Sequence, residues 1–231
     1  MKKRILVYVA GMMIYGFAVC LMAKADIGIS PITSIAFALY HIFPDLSLGI
    51  TQLIMNGLFV LAQAVLLGRQ FEKIQYLQFA ASILFSFFID LTMPLVEMIA
   101  SFHDGFMFRI VLFAISMLTM AIGLTIILIT GLIMLPGDGI AKTIAKKLNW
   151  NFGKAKVIFD SSCVASTCII SLLVLHEIVG IQIGTVIAAL CLGRIVRLFS
   201  SILKARKIHT DLSPDQQVHD GARVSVSKGN Q

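Results

Sequence analysis

The sequence predicts an all-α polytopic membrane protein with six transmembrane helices, arranged as two inverted three-helix repeats, each with a broken or re-entrant short helix. Three observations lead to this prediction. The composition is 58% hydrophobic and only 13% charged, with a mean hydropathy of +0.92, which excludes ordinary soluble classes. Six apolar runs are long enough to span a bilayer, and two irregular connections divide the chain into similar halves.

Each predicted span provides roughly the 20 apolar residues that a bilayer requires. The spans lie at about 5–23, 47–67, 74–97, 106–131, 157–175 and 181–203. The first follows a basic start and ends in Ala23-Lys24-Ala25, a pattern that cleavable signal peptides share. We interpret it as an uncleaved helix, because its apolar stretch is longer than a signal core and the rest of the chain also needs a membrane.

The basic residues predict the orientation, since cytoplasmic loops collect Lys and Arg. Three precede the first span, two and five follow spans two and four, and seven lie from Arg194 to the end of the chain, so that only Lys24 and Arg109 of the nineteen face outward. Both termini are therefore predicted to be cytoplasmic. The transmembrane domain covers 1–207, and 208–231, polar and without periodicity, is predicted to be a disordered cytoplasmic tail. Contact with anionic lipid accounts for the net charge of +7 without a nucleic-acid partner.

Two long connections, 24–46 and 132–156, begin with helix-breaking residues and then become helical. In the first, Ser30 is the predicted N-cap of a short helix over 32–43, with Pro31 at its first position. In the second, Asp138 is the predicted cap of a helix over 140–148. The same order of elements thus occurs twice along the chain.

This order defines repeat 1 at about 1–100 and repeat 2 at about 104–207. A shift of 104 residues places Asn56 on Asp160 and Asp90 on Arg194. Because each half contains three spans, an odd number, the second half enters the membrane inverted. Inverted repeats with interrupted helices are typical of secondary transporters.

The breaks themselves are candidate substrate sites, since irregular backbone at membrane depth must be satisfied by protein or by a water-filled cavity. Gly28–Pro31 and Pro136–Gly139 are predicted tips of re-entrant segments whose N–H groups are available to a polar or anionic substrate. The second segment also fits a helix lying on the inner leaflet, because Ile140, Ile144 and Leu148 form one apolar stripe. The sequence leaves both interpretations open.

Charged residues within spans are costly and tend to be paired or functional. Asp90 and Arg194 are interpreted either as an ion pair or as part of a substrate or proton site, and Arg194 alternatively snorkels to the cytoplasmic surface. Gln52, Gln63, Gln78 and Thr125 are further polar wall residues. The predicted substrate site comprises Gly28, Ser30, Pro31, Asn56, Asp90, Pro136, Gly137, Asp138, Gly139, Asp160 and Arg194.

Enzymatic chemistry is not expected. Four cysteines lie within predicted spans as apolar packing residues, and His176-Glu177 lacks the second histidine of a zinc helix. No catalytic residue, metal ligand or cofactor is therefore predicted.

Four motifs resemble the YczE/YyaS/YitT group of bacterial membrane proteins. They are GISP at 28–31, LPGDGIA at 135–141, KAKVIFD at 154–160 and GTVIAALCLG at 184–193. The resemblance covers about 5–203, and it implies a multi-pass protein of the bacterial inner membrane whose biochemical role is mostly unassigned. Some relatives of the YitT type carry a soluble C-terminal domain, which is not expected here because 208–231 is predicted to be a tail.

The sequence therefore predicts a small secondary transporter for a small polar or anionic metabolite. The expected partners are the lipid bilayer, that metabolite and a second copy of the chain in a homodimer. The alternative is a membrane regulatory or scaffold protein that does not transport.

Overall fold

The computed structural model describes residues 2–71, 73–102 and 105–205, and this part of the chain is all-helical. The helices are α1 (Lys2–Ala25), α2 (Pro31–Ile42), α3 (Leu48–Leu67), α4 (Lys73–Ala100), α5 (Phe106–Thr130), α6 (Pro136–Leu148), α7 (Phe152–Val174) and α8 (Ile183–Ala205). Six of them are long and apolar enough to cross a membrane, whereas α2 and α6 are short. The six predicted spans are confirmed as helices, although α7 begins five residues earlier than predicted.

The most extensive interface joins α1 and α5, which cross antiparallel at close range. Gly123 makes this approach possible, since a Cβ there would lie 2.7 Å from the backbone nitrogen of Tyr15. At one end of the pair, the Arg4 guanidinium donates to the carbonyl of Thr130, and at the other end Arg109 forms an ion pair with Asp26 at 3.0 Å. An arginine therefore holds each end of the crossing.

The helices form two bundles. The first bundle, α1, α4, α5 and α8, contains the larger hydrophobic cluster, with Met12, Ile89 and Met120 fully buried. The second bundle, α2, α3, α6 and α7, surrounds a smaller cluster that includes Phe59 and Phe159, whose rings meet edge to face at 5.3 Å. The main contact between the bundles is that of α3 with α4.

The short helices α2 and α6 both pack between α3 and α7. Each begins with proline at its first position, as predicted for Pro31, whereas α6 begins at Pro136, four residues before the predicted helix over 140–148. Ser30 is the N-cap of α2, although its hydroxyl donates to Thr33 and not to the backbone. The prediction that Asp138 caps α6 is wrong: Leu135 is the N-cap and Asp138 lies in the first turn, because the helix begins at Pro136.

Large apolar side chains are exposed along the outward faces of α4, α5, α7 and α8, as expected of helices that contact lipid. The predicted tail at 208–231 lies outside the described residues.

Candidate functional site

The N-termini of α2 and α6 meet near the centre of the molecule. Ile32 and Gly137 are the second residues of their helices, and a Cβ at Gly137 would lie 2.5 Å from Cγ2 of Ile32. Glycine at position 137 is therefore needed for the two helix ends to approach. Because helix N-termini carry partial positive charge, their meeting point favours polar or anionic groups.

Each helix start is held by a polar side chain. Ser34 donates to the carbonyl of Pro31 at 2.7 Å, and its hydroxyl also pairs with that of Thr167 on α7 at 2.7 Å. The amide of Gln63 on α3 donates to the carbonyl of Pro136 at 3.3 Å and to Gln78 at 3.0 Å. The carbonyls of both prolines are thus satisfied within the protein.

A small cavity lies where the helix starts meet, between the two bundles. It has a volume of about 20 Å³, which is room for about one water molecule. The lining residues are Tyr15, Ile32, Thr33, Gln52, Asn56, Phe85, Leu135, Gly137 and Asp138. Tyr15 and Phe85 belong to the first bundle and most of the others to the second, so a relative movement of the bundles would change the size of this cavity.

Beside the cavity, one lysine joins two carboxylates. Lys156 Nζ lies 3.1 Å from Oδ1 of Asp138 and 2.9 Å from Oδ1 of Asp160. The exposed fractions of the side chains are 26% for Lys156, 19% for Asp138 and 16% for Asp160. We call these three residues the charge cluster. With all three groups ionised, the two carboxylates and one ammonium leave it with one surplus negative charge.

The cavity is also lined by a neutral amide pair on α3. Gln52 donates to Asn56 at 3.3 Å, and both residues are almost completely buried. Oε1 of Gln52 and Nδ2 of Asn56 have no hydrogen-bond partner in the structure. Reversing both amides would free the other two atoms, so the pair offers one donor and one acceptor in either orientation. Unpaired buried polar groups are costly, which makes them candidates for binding a ligand.

The structure brings only part of the predicted site together. Asn56, Gly137 and Asp138 line the cavity, and Asp160 lies directly behind Asp138 across Lys156. Pro136 and Gly139 lie in the same first turn of α6, where Gly139 leaves space for the Gln63 and Gln78 side chains.

Other predicted residues are engaged elsewhere. Gly28, with a φ of +135°, packs against the start of α8, where a Cβ would lie 2.5 Å from the backbone nitrogen of Thr185. Ser30 and Pro31 form the start of α2. Their role in the structure is to hold the break against neighbouring helices.

Asp90 and Arg194 have separate environments. Asp90 accepts hydrogen bonds from the Ser47 hydroxyl at 2.7 Å and from the backbone N–H of Gly49 at 2.8 Å, so it caps the start of α3. Arg194 is exposed on α8. The structure therefore gives Asp90 partners other than Arg194.

Sequence reasoning did not select Lys156, Tyr15, Thr33 or Phe85, and it treated Gln52 only as a wall residue. The signal for Lys156 was present, because Lys156 and Asp160 are separated by four residues on one helix face. The shift of 104 residues also places Gln52 on Lys156, so the amide pair and the Lys156–Asp160 pair occupy equivalent positions in the two halves. Only the tertiary structure adds Asp138 to them.

The fold and the cavity together define a class: a multi-pass helical membrane protein with a polar site between two helix bundles. Within this class, the chain belongs to the family of unknown function DUF6198, whose family model matches residues 2–201. No curated protein and no solved structure matches the chain. The matched range includes both short helices and the whole charge cluster.

Proposed function

We propose that this protein is a small secondary transporter that moves a small polar or anionic metabolite across the bacterial inner membrane. The observation that carries the proposal is the small cavity at the meeting point of two helix N-termini, where Gln52, Asn56 and Asp138 lie among apolar lining residues. It combines a charge cluster with unpaired amide atoms, and it lies between two bundles that have separate hydrophobic clusters. The proposal assigns no chemical reaction to the protein.

The depth of the cavity supports this proposal. Tyr15 is the fourteenth of 24 residues in α1, Phe85 the thirteenth of 28 in α4 and Asn56 the ninth of 20 in α3. These side chains therefore lie about halfway along helices that are long enough to span a bilayer. Substrate sites of secondary transporters with broken helices also lie near the midplane.

The lengths of α2 and α6 support the re-entrant interpretation. With 12 and 13 residues, they are about 18–20 Å long, which is less than a hydrocarbon core of about 30 Å. Both begin at the cavity, and from their C-terminal ends the chain continues into the first turns of α3 and α7. We propose that each break enters the membrane from its own side and that the short helix returns to the surface.

Equivalent contacts in the two halves support inverted repeats. The pairs α1–α4 and α5–α8 correspond, as do α2–α3 with α6–α7, and α3–α6 with α7–α2. Arg4 and Arg109, 105 residues apart, hold opposite ends of the α1–α5 crossing. The α3–α4 contact has no comparable α7–α8 counterpart, so we propose that the bundles rock about the α3–α4 contact.

The first turns of α2 and α6 offer two N–H groups for a polar or anionic substrate. Pro31 and Pro136 have no N–H, and the N–H groups of Thr33 and Asp138 bond to the carbonyls of the N-cap residues. This leaves Ile32 and Gly137 as the cavity-lining residues whose N–H groups are the candidate substrate donors.

The proposal extends to the protein's relatives, its orientation in the membrane and its oligomeric state. The four motifs that resemble the YczE/YyaS/YitT group suggest that DUF6198 is related to it. The distribution of basic residues favours cytoplasmic termini. A homodimer is proposed because six spans enclose only a small cavity.

Uptake into proteoliposomes tests the transport proposal. Purified protein is given an equimolar, isotope-labelled mixture of the twenty amino acids, short-chain carboxylates and inorganic phosphate, and the vesicle contents are analysed by mass spectrometry. At least one component should accumulate above empty vesicles, and Asp138→Asn should change its uptake by about tenfold or more, in the range expected for a charged hydrogen-bonding group. Unchanged uptake by this variant would remove Asp138 from the mechanism.

Labelling from each side of the membrane tests the inverted arrangement. Single cysteines replace Asp45, in the exposed connection after α2, and Asn149, in the exposed connection after α6, in a cysteine-free background. A membrane-impermeant maleimide should label position 45 only from outside intact cells and position 149 only after the membrane is opened. Labelling of both positions from the same side would overturn the inverted repeats.

A further inference from the structure

We propose that the charge cluster binds one exchangeable proton, shared between Asp138 and Asp160, and that H⁺ is the coupling ion of transport. This inference rests on the proposed function and deepens it, because it names what accompanies the substrate. It is carried by the geometry of the cluster and by its unbalanced charge.

The charge count of the cluster leaves one carboxylate without a positively charged side chain of its own. A single ammonium, that of Lys156, lies within 3.1 Å of one oxygen from each aspartate. Less than a third of each of the three side chains is exposed, so water screens the surplus charge poorly. Two carboxylates that share one site do not readily both stay ionised.

The proton has a defined place in this geometry. Lys156 is bonded to Oδ1 of both aspartates, so the proton binds Oδ2 of one of them. It is transferred from a hydronium ion: the O–H bond of the donor breaks as the carboxyl O–H bond forms, and a water molecule is released. With the proton bound, one carboxylate balances Lys156, the other is neutral, and the cluster as a whole carries no net charge.

Among the described residues, the elements packed against the cluster add no further ion pair to Asp138 or Asp160 that would balance the surplus negative charge. On α1 and α7, Tyr15 and Cys163 interact electrostatically with Asp160, and both types of side chain are ordinarily neutral near pH 7. On α2 and α3, the residues at the cavity are the neutral Thr33, Gln52 and Asn56. Lys142, one turn beyond Asp138, is exposed to the surroundings.

Protonation explains how an anion could enter this site. An anionic group at the N–H of Gly137 would lie next to Asp138, and it would be repelled by a cluster with surplus negative charge. Once the proton is bound, the repulsion is removed and the positive end of α6 remains. Proton and anion therefore favour each other's binding, which is the thermodynamic requirement for symport.

Infrared difference spectroscopy of the protein in liposomes tests the proton site without a substrate. Acidification from neutral to mildly acidic pH should produce the C=O stretching band of one protonated carboxyl per chain. Asp138→Asn and Asp160→Asn should each abolish the band, because either substitution leaves Lys156 with a single, balanced carboxylate. An independent carboxylate would instead lose its band in only one of these variants.

Two further variants keep the test decisive. Asp160→Glu retains a carboxyl and should retain the band, and Asp90→Asn, which alters a carboxylate of α4 outside the cluster, should retain it as well. Melting temperature and gel filtration verify that each variant is folded. The proton site is overturned if the wild-type protein shows no band, or if the band persists in both Asp138→Asn and Asp160→Asn.

Failure of the proton site can be distinguished from failure of the transport proposal. A band that both substitutions remove supports the proton site even when no component of the metabolite mixture is transported, in which case only the transport proposal fails. Uptake of a metabolite by a protein without the band would leave transport standing and overturn H⁺ as its coupling ion.

Discussion

Replacement of Lys156 by Met is expected to destabilise the protein strongly, because it leaves Asp138 and Asp160 facing each other without a counter-charge. Both carboxylate oxygens lie within 3.1 Å of the same nitrogen, so they are at most about 6 Å apart, and their repulsion at an effective dielectric constant of about 20 is about 3 kcal/mol. Removing one partner of a buried ion pair typically costs about 3–5 kcal/mol. The repulsion of the two carboxylates and the typical cost of a broken buried ion pair are therefore of similar size.

Thermal unfolding in detergent micelles measures this loss. For a chain of this size, 1 kcal/mol corresponds to about 2–4 °C in melting temperature, so Lys156→Met should lower it by about 6–20 °C. Acidification should reduce the loss, because protonation of one carboxylate removes the repulsion. Asp138→Asn should have a much smaller effect, since it leaves the balanced pair of Lys156 and Asp160.

Lys24→Met provides the matched control. Lys24 pairs with Glu97 at 2.9 Å, the same distance as in the cluster, but half of the Glu97 side chain is exposed. Exposed pairs contribute about 0–1 kcal/mol, so the control should lower the melting temperature by no more than about 4 °C. Equal effects of the Lys24 and Lys156 substitutions would refute the reasoning, because burial of the surplus charge would then have no energetic consequence.

Four other substitutions or deletions test separate parts of the structure. Gly123→Ala should cost about 1–3 kcal/mol in unfolding free energy because a Cβ has no room at the α1–α5 crossing. The control Gly193→Ala, at a position with open space around it, should be neutral or stabilising. Equal melting temperatures of the two variants would contradict the close crossing. Asp90→Ala should cost about 1–2 kcal/mol through loss of the α3 cap without changing the infrared band of the cluster, and a lost band would show that this residue belongs to the proton site. Asn56→Leu should reduce metabolite uptake by about tenfold or more at unchanged expression, as loss of a buried hydrogen bond to substrate requires; full uptake would exclude the amide pair from binding. Deletion of 208–231 should leave uptake intact, and loss of a co-purifying protein without loss of stability would favour the scaffold alternative instead.

The long helices could be predicted because a bilayer imposes a simple requirement on sequence. A run of about 20 apolar residues is needed wherever the chain crosses, and every such run in this chain is helical in the structure. The error at the start of α7 has a physical cause. The polar first turns, which include Lys154 and Lys156, are helical but do not raise the local hydropathy, so the apolar run begins later than the helix does.

The proline at the start of α2 was also predicted, since proline is favoured at the first position of a helix. The N-cap of α6 was not predicted correctly, because an aspartate that follows a proline and a glycine fits either the N-cap or the first turn of a helix. Asp138 lies in the first turn, where it reaches Lys156. A shift of three positions in the N-cap thus separates a local capping role from a role in the charge cluster.

Asp90 illustrates a different limit. A carboxylate in an apolar run signals an expensive group that needs a partner, but it does not identify the partner. The structure provides it as the start of α3, where Gly49 has no side chain to keep Asp90 away from the backbone. The pairing with Arg194 that symmetry suggested is replaced by this cap.

Composition and periodicity along the chain are local properties, and they suffice for the number of spans, for the two short helices and for the polar character of the breaks. The charge cluster is different: Asp138 and Lys156 are 18 residues apart on two helices, and Tyr15 and Asn56 reach the same cavity from two others. The cluster depends on the packing of α6 against α7, and the cavity on the approach of α2 to α6, where Gly137 leaves space for Ile32. Since electrostatic interaction and hydrogen bonding fall off over a few ångströms, the identity of the site depends on packing between helices, and one-dimensional patterns do not encode those distances.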